Sequence, residues 1–209
     1  MSHRVVLLYG PGTGLGKSTV AAEVIRRLAQ EGVPARLIRE EDVMDIAAFH
    51  KYVQQVQQGN AQDIETLLQS CQGFVHDLTR VPEVAVVDSL FPCWDWISTA
   101  GCPESIVASF TERLCVLLRP LNPLLIYLVG DLDIGLARAV KDRGEEWGLS
   151  LAVERTGVRD LGALREYLGK IRAVADRMLI HWPYDLVRVD STRCEVKAAV
   201  DQVMAVFQA

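Results

Sequence analysis

Residues 10–19 are the feature that most constrains this chain. They read Gly-Pro-Gly-Thr-Gly-Leu-Gly-Lys-Ser-Thr and separate an apolar run, Val5–Tyr9, from a stretch with helical periodicity over residues 18–30. An apolar strand, a glycine-rich loop, Gly-Lys-Ser and a helix in this order are typical of a phosphate-binding loop. The backbone N–H groups of such a loop, and the positive end of the helix dipole, attract anionic oxygens. The segment therefore predicts a nucleoside triphosphate site.

Within this segment the side chains predict separate roles. Lys17 would reach the β- and γ-phosphates of ATP, and the hydroxyl of Ser18 would ligate Mg²⁺. The spacing departs from the commonest form, because Pro11 stands at the usual position of the first glycine and Gly10 lies one residue earlier. Either Gly10 opens a longer loop, or the later glycines supply the flexibility. The residues expected to bind the nucleotide are Gly12, Thr13, Gly14, Leu15, Gly16, Lys17, Ser18 and Thr19.

Length and composition narrow the class of protein. The 209 residues suit one domain with a sizeable core, and the net charge of −5 argues against general binding of nucleic acid. No apolar window reaches the ~18 residues that a membrane span needs. The first predicted strand begins at Val5, which leaves no room for a signal peptide. The cysteines are widely spaced, which favours reduced thiols in a cytoplasmic protein over a metal site or disulfides: Cys71, Cys93, Cys102, Cys115 and Cys194.

Five apolar runs with strand character recur along the chain, and helix-like segments separate them. This alternation predicts an α/β fold with a five-stranded parallel sheet and helices on both faces. Ligands of such sheets bind beyond the carboxyl ends of the strands, so the residues that follow each strand are candidate site residues. The predicted strands are residues 5–9, 35–38, 84–87, 124–129 and 186–189.

Acidic residues follow the second and third predicted strands. Asp88 ends the third, where a carboxylate would hold Mg²⁺ together with Ser18; the alternative is a cap of the next turn. Glu40, Glu41 and Asp42 follow the second strand. One carboxylate there would accept the proton of a hydroxyl acceptor during phosphoryl transfer, and Glu40 and Glu41 are favoured over Asp42. The alternative for these three acids is a solvated loop.

Cations follow the fourth predicted strand on a charged helical segment. Arg143 would close over the phosphates and neutralise developing charge, and Arg138 is expected to contact the nucleotide. The alternative is a solvated helix, which an i,i+4 pair between Lys141 and Glu145 would stabilise. We expect a lid over roughly residues 131–150 within a single domain of residues 1–209.

Two further segments carry aromatic or polar residues just after strands. Phe91, Trp94 and Trp96 follow the third strand, and two interpretations stay open for them: a wall against which a planar acceptor stacks, or packing under the neighbouring helix. Residues 190–192 follow the fifth strand and predict an N-cap for a last helix over residues 195–207. The hydroxyls in that loop are also candidates for contact with the nucleotide base.

The order of these elements resembles the P-loop kinase superfamily, specifically its thymidylate kinase and deoxynucleoside kinase branch. Residues 35–40 are similar to the second strand of that branch with its acidic or Arg-Glu motif, and Asp88-Ser89 stands where the branch has Asp-Arg or Glu-Arg-Ser. Residues 136–144 resemble the arginine-bearing lid helix, and residues 189–192 resemble the adenine-side loop. The chain departs from the branch in that no arginine follows Asp88, and its offset phosphate loop resembles that of dethiobiotin synthetase.

The resemblance and the residues together predict an ATP-dependent kinase that phosphorylates a hydroxyl of a small molecule, with a nucleoside as a candidate acceptor. Two alternatives stay open. One is a nucleoside monophosphate kinase, in which Arg39 would grip the acceptor phosphate, and the other is a nucleotide-dependent switch that hydrolyses slowly. ATP and Mg²⁺ are the expected cofactors, and the partners considered are a small-molecule acceptor and a second copy of the chain.

Overall fold

The computed structural model describes residues 3–208, and its strands form one parallel sheet. The strands are β1 (Val5–Tyr9), β2 (Ala35–Ile38), β3 (Val84–Asp88), β4 (Leu124–Val129) and β5 (Leu186–Asp190). Their order in the sheet is β2-β3-β1-β4-β5, so the strand that precedes the phosphate loop lies at the centre. The predicted α/β fold with five parallel strands is confirmed. Two strands are one residue longer than predicted, because β3 includes Asp88 and β5 includes Asp190.

Helices cover both faces of this sheet, as predicted. None of the helices described over residues 3–208 is long and apolar enough to cross a membrane. Short 3₁₀ turns over Glu40–Met44, Ala47–Phe49 and Arg119–Leu121 link some of the elements. The helices are α1 (Lys17–Gln30), α2 (His50–Gln57), α3 (Ile64–Arg80), α4 (Trp94–Thr99), α5 (Glu104–Leu118), α6 (Leu132–Arg143), α7 (Glu145–Thr156), α8 (Leu161–Leu179) and α9 (Val196–Phe207).

Two apolar cores lie on the two faces of the sheet. Val6 and Leu8 of β1 belong to the core under α1 and α9, whereas Leu7 and Tyr9 belong to the larger core under α3, α4, α5 and α8. Successive side chains of a strand point to opposite faces, so a central strand needs apolar residues at every position. The strands β1, β3 and β4 are buried along their whole length, which explains why they are continuous apolar runs in the sequence.

The charged segment after β4 forms two helices instead of one. Helix α6 ends at Arg143 and is capped by Gly144, whose φ of 93° is rarely adopted by residues with a side chain. Helix α7 begins at Glu145. Lys141 and Glu145 therefore lie on different helices, and the i,i+4 pair that would stabilise a single solvated helix is not formed within one helix. Helices α6, α7 and α8 pack around a small apolar cluster of their own, which contains Leu136, Ala152 and Leu164. This cluster is separate from the two main cores, although α8 also contributes Ala175 and Met178 to the larger core.

The connection between β5 and α9 also differs from the prediction. One carboxylate oxygen of Asp190 accepts hydrogen bonds from the backbone N–H of Thr192 at 3.0 Å and from its hydroxyl at 2.6 Å. These bonds close a turn, and the N-cap of α9 is Glu195. The N-cap expected at residues 190–192 is therefore wrong, because the local side-chain bonds are used by a turn that precedes the helix.

Candidate active site

The phosphate loop joins the centre of the sheet to α1. Gly16 is the N-cap of α1 in the left-handed conformation, with φ 75°, and Gly14 has φ 69°. The first turn of α1, from Lys17 to Val20, carries no acidic side chain. The N–H groups and the positive dipole end of this helix therefore face the loop without a competing carboxylate of their own helix.

Gly14 also brings the loop into close contact with α6. A Cβ atom built on Gly14 would lie 2.0 Å from the carbonyl oxygen of Gly135, which is far inside any real contact. Both the positive φ and the close approach require glycine at this position. The first turns of α6 thus form one wall of the phosphate loop.

Gly14→Ala is expected to destabilise the protein by on the order of 1–3 kcal/mol, because alanine there combines a strained φ with a backbone clash. The free energy of unfolding from denaturant titration measures the effect. Gly157→Ala is the matched control, since Gly157 has φ 74° and open space around its Cβ position. Equal losses in the two variants would contradict a role for the contact with Gly135.

Lys17 points back onto its own loop. Its Nζ donates hydrogen bonds to the carbonyl oxygens of Gly10 at 3.0 Å and Gly12 at 2.7 Å. Burial lowers the pKa of the Lys17 ammonium, and the carboxylates of Asp95, Asp88 and Glu40 oppose this shift. The positive charge of Lys17 therefore stands in an acidic surrounding at the carboxyl end of the sheet.

A cavity of about 730 Å³ opens above this loop. Its volume lies within the range of roughly 300–1,000 Å³ that is usual for ligand sites. The cavity brings together all the site residues predicted from the sequence: Gly12, Thr13, Gly14, Leu15, Gly16, Lys17, Ser18, Thr19, Glu40, Glu41, Asp88, Arg138 and Arg143. Gly10, which was considered as the opening glycine of the loop, also lines it.

Asp88 lies at the end of β3 beside the phosphate loop. It is 5% exposed, and it stands opposite Leu8 of β1 in the parallel register. The hydroxyl of Ser89 donates to one carboxylate oxygen of Asp88 at 2.8 Å. Asp88 and the exposed Ser18 line the same cavity, an arrangement of carboxylate and hydroxyl oxygens that suits a hard cation such as Mg²⁺.

The three acids after β2 have different surroundings. Glu40 and Glu41 line the cavity, whereas the carboxylate of Asp42 accepts a hydrogen bond from the backbone N–H of Arg39 at 2.8 Å. Asp42 therefore caps the turn. Glu40 accepts a hydrogen bond from the indole N–H of Trp96 at 3.2 Å. The side chain of Glu40 as a whole is exposed. The atoms around its carboxyl group nevertheless partly desolvate that group, and this desolvation raises its pKa.

The aromatic residues after β3 divide between the two interpretations. Phe91 and Trp94 are 1% and 0% exposed and belong to the larger core. Trp96 lines the cavity, and its ring is stacked on that of Tyr52, with 6.2 Å between centroids and 12° between planes. Trp96 is therefore the aromatic residue of this group that an acceptor in the cavity would meet.

Both predicted arginines reach the cavity from α6. The guanidinium of Arg138 donates to the carbonyl oxygen of Ser191 at 3.2 Å, which links α6 to the loop after β5. The guanidinium of Arg143 lies over the ring of Trp147, 4.7 Å from its centroid. In these contacts the partner of Arg138 is a carbonyl oxygen and that of Arg143 is an aromatic ring, so neither positive charge is paired with a carboxylate. Both guanidinium groups line the cavity together with the phosphate loop.

This fold has counterparts among solved structures, although no protein-family model and no curated protein matches the chain. A deoxyadenosine kinase from M. mycoides with bound dATP has a TM-score of 0.58 at 15% sequence identity, with 100% of both chains covered. The YorR protein from Bacillus subtilis, in complex with phosphorylated GDP, has a TM-score of 0.56 at 12% identity, with 98% of this chain and 95% of that chain covered. The chain has an α/β P-loop NTPase fold. The resemblance to the deoxynucleoside kinase branch is thereby confirmed at the level of the fold.

The fold also brings to the cavity residues that were not predicted from the sequence. Asp95 in the first turn of α4 lies in the cavity wall, and its carboxylate accepts a hydrogen bond from the phenol of Tyr9. Burial raises the pKa of Asp95, and the Tyr9 hydrogen bond and the charge of Lys17 lower it in part. An acid between two tryptophans, in the segment that follows β3, was the available signal in the sequence.

A positively charged side chain of α7 also lines the cavity. Arg155 lines the cavity, and its charge lowers the pKa values of both Glu40 and Asp95 against the effect of burial. Tyr167 of α8 lies in the same wall and bonds to the hydroxyl of Thr99. The residue directly after Asp88 is Ser89 and not an arginine. Arg155 supplies a guanidinium to the same cavity from another element.

Proposed function

We propose that this chain is an ATP-dependent kinase that transfers the γ-phosphoryl group to a hydroxyl of a small molecule, with a nucleoside as the preferred class of acceptor. The observation that carries the proposal is the single cavity shared by Lys17, Asp88 and Glu40 at the carboxyl end of the sheet. Phosphoryl transfer requires this combination of a phosphate-binding cation, a metal-binding carboxylate and a carboxylate near the acceptor. The deoxyadenosine kinase among the structural neighbours supports the choice of a nucleoside.

The donor end of the cavity would hold ATP and Mg²⁺. Lys17 and the N–H groups of the loop bind the β- and γ-phosphates, and Ser18 and Asp88 offer oxygen ligands to the metal. These residues fit the ion, because both oxygens line the cavity and the first turn of α1 adds no competing charge. When bound, Mg²⁺ would neutralise charge on the phosphates. Arg143 and Arg138 would then contact the nucleotide from a lid of roughly residues 131–150, within one domain of residues 1–209.

The acceptor end favours a hydroxyl over a phosphate. Glu40, Glu41 and Asp95 line it, and a phosphate group about 4 Å from an uncompensated carboxylate loses roughly 1–4 kcal/mol, depending on exposure. A hydroxyl gains from the same carboxylates, because one of them orients it. Arg39 is not among the described residues that line the cavity. A nucleoside monophosphate kinase would therefore lack the side chain that was expected to bind the acceptor phosphate.

Arg155 is the observation that favours the monophosphate kinase as the second candidate, since a guanidinium is a suitable bidentate partner of a phosphate. The test is acceptor-dependent release of ADP from ATP·Mg²⁺, with each nucleoside compared with its own 5′-monophosphate. We expect the nucleosides to be the better acceptors, and Glu40→Gln to raise the KM of the acceptor. A clear preference for the monophosphates, with Glu40→Gln fully active, would support the second candidate. Hydrolysis that is independent of any acceptor would support a switch.

A further inference from the structure

A small recess adjoins the main cavity next to Lys17. Its volume is about 40 Å³. One water molecule needs roughly 10–15 Å³ of such space, so the recess has room for about three or four water-sized groups, which is enough for a hydroxymethyl group. Its walls contain two carboxylates and the phosphate-binding cation: Tyr9, Gly10, Lys17, Glu40, Ser89, Cys93, Trp94, Asp95 and Trp96.

Asp95 is held rigidly in this recess. Its carboxylate accepts the hydrogen bond of the Tyr9 phenol, and Tyr9 is 3% exposed. The Tyr9 ring is stacked on Tyr127, with centroids 6.0 Å apart, and meets Trp94 edge-on at 5.0 Å. Because these contacts prevent the phenol from turning away, they fix the position of the carboxylate as well.

The carboxylates near Lys17 differ in their suitability for the acceptor proton. In the proposed kinase Lys17 would contact the γ-phosphate, and Asp95 shares the walls of the recess with Lys17. Asp95 also opposes the lowering of the Lys17 pKa ahead of Asp88 and Glu40. Asp88 is not among the described residues that line the recess, and it accepts the bond of Ser89. Glu40 lines the recess, but its side chain is exposed, whereas that of Asp95 is half-buried.

We propose that Asp95, positioned by Tyr9, takes the proton of the acceptor hydroxyl, while Glu40 orients the same group of the acceptor. This inference rests on the proposed kinase function. The acceptor oxygen forms a bond to the γ-phosphorus, and the bond from that phosphorus to the oxygen bridging to the β-phosphate breaks. The electron pair of the broken bond leaves with ADP, and the hydroxyl proton passes to the Asp95 carboxylate. The acceptor class that fits the recess is a primary alcohol, whose CH₂OH group is small enough to enter it.

The charged and titratable groups that face Asp95 come from every element around the recess. They are Tyr9 of β1, Lys17 of α1, Glu40 after β2, Cys93 at the N-cap of α4, Arg155 of α7 and Tyr167 of α8. The Tyr9 bond stabilises the charged carboxylate, so its loss raises the pKa of Asp95. A base must be deprotonated to act, and the acidic limb of the rate profile then moves to higher pH.

The experiment compares Asp95→Asn, Glu40→Gln and Tyr9→Phe, using ATP·Mg²⁺ and the nucleoside that releases ADP fastest from the acceptor panel. We expect Asp95→Asn to lower kcat about 10²- to 10⁴-fold, as the loss of a general base does, while it still binds ATP in calorimetry. Glu40→Gln should mainly raise the KM of the acceptor. Tyr9→Phe should move the acidic limb of kcat to higher pH.

Tyr184→Phe is the matched control, because the Tyr184 phenol donates to the backbone carbonyl oxygen of Cys115 beside the same apolar core, and Tyr184 does not line the recess or contact Tyr9 in the ring contacts described above. This variant should leave the pH profile unchanged. A wild-type kcat in Asp95→Asn, or an unmoved limb in Tyr9→Phe, would overturn the inference while the kinase function stands. If thermal melting shows that Asp95→Asn is unfolded, the pH profile of Tyr9→Phe decides. Wild-type protein that releases no ADP with any acceptor would overturn the proposed function and this inference together.

Discussion

Lys17→Ala is expected to reduce turnover by about 10²-fold or more and to weaken the binding of ATP. The ammonium group stands in the phosphate loop, and the loss of one such preorganised electrostatic contact to a transferring phosphoryl group commonly has an effect of this size. The fold should survive, because Lys17 bonds to two carbonyl oxygens of its own loop and is not part of either apolar core. Acceptor-dependent ADP release and calorimetric titration with ATP measure the two effects.

The matched control for this prediction is Lys170→Ala. Lys170 lies on α8 with an exposed side chain and carries the same charge. Its removal changes the net charge of the protein equally, so any general electrostatic effect on ATP would appear in both variants. Full ATP affinity and full turnover in Lys17→Ala would mean that residues 10–19 do not form the phosphate site.

The sheet could be predicted from the sequence because its central strands are buried on both faces. Burial of that kind leaves a continuous apolar run, such as Val5–Tyr9 or Leu124–Val129, and in β3 the run ends in the acid Asp88. The positions of Glu40 and Asp88 follow from the same rule, since the carboxyl ends of parallel strands meet at one edge of the sheet. Strand ends are therefore the part of the candidate site that local sequence reveals.

The remaining site residues lie on helices, whose orientation the sequence does not specify. Asp95 and Arg155 reach the cavity through the way in which α4 and α7 pack on their neighbours, and neither stands beside a strand end. Helical periodicity shows which face of a helix is apolar, but not which neighbour covers it. The break at Gly144 had a local signal, a glycine followed by Glu145 and Glu146, which is typical of a helix that starts anew.

The second large effect concerns the metal. Asp88 is buried at the end of the apolar strand β3, and a carboxylate is seldom buried without a partner. The Ser89 hydroxyl satisfies one of its oxygens at 2.8 Å, and Asp88 lines the same cavity as Ser18 of the phosphate loop. A cap of the next turn would need only the bond to Ser89. The shared cavity with Ser18 therefore favours a metal ligand.

Asp88→Asn is accordingly expected to leave the affinity for ATP without Mg²⁺ largely intact and to remove most of the gain that Mg²⁺ brings in binding and rate. A metal-bound phosphate site depends on the ligand charge, because an amide oxygen lacks the full negative charge with which a carboxylate attracts the hard cation. Titration of ATP with and without Mg²⁺, on wild type and variant, separates the two contributions, and the rate should fall by about 10²-fold at saturating Mg²⁺. Asp77→Asn on the exposed side of α3 is the control for the change in net charge. If Asp88→Asn responds to Mg²⁺ as wild type does, Asp88 caps the turn and the metal is held by other groups.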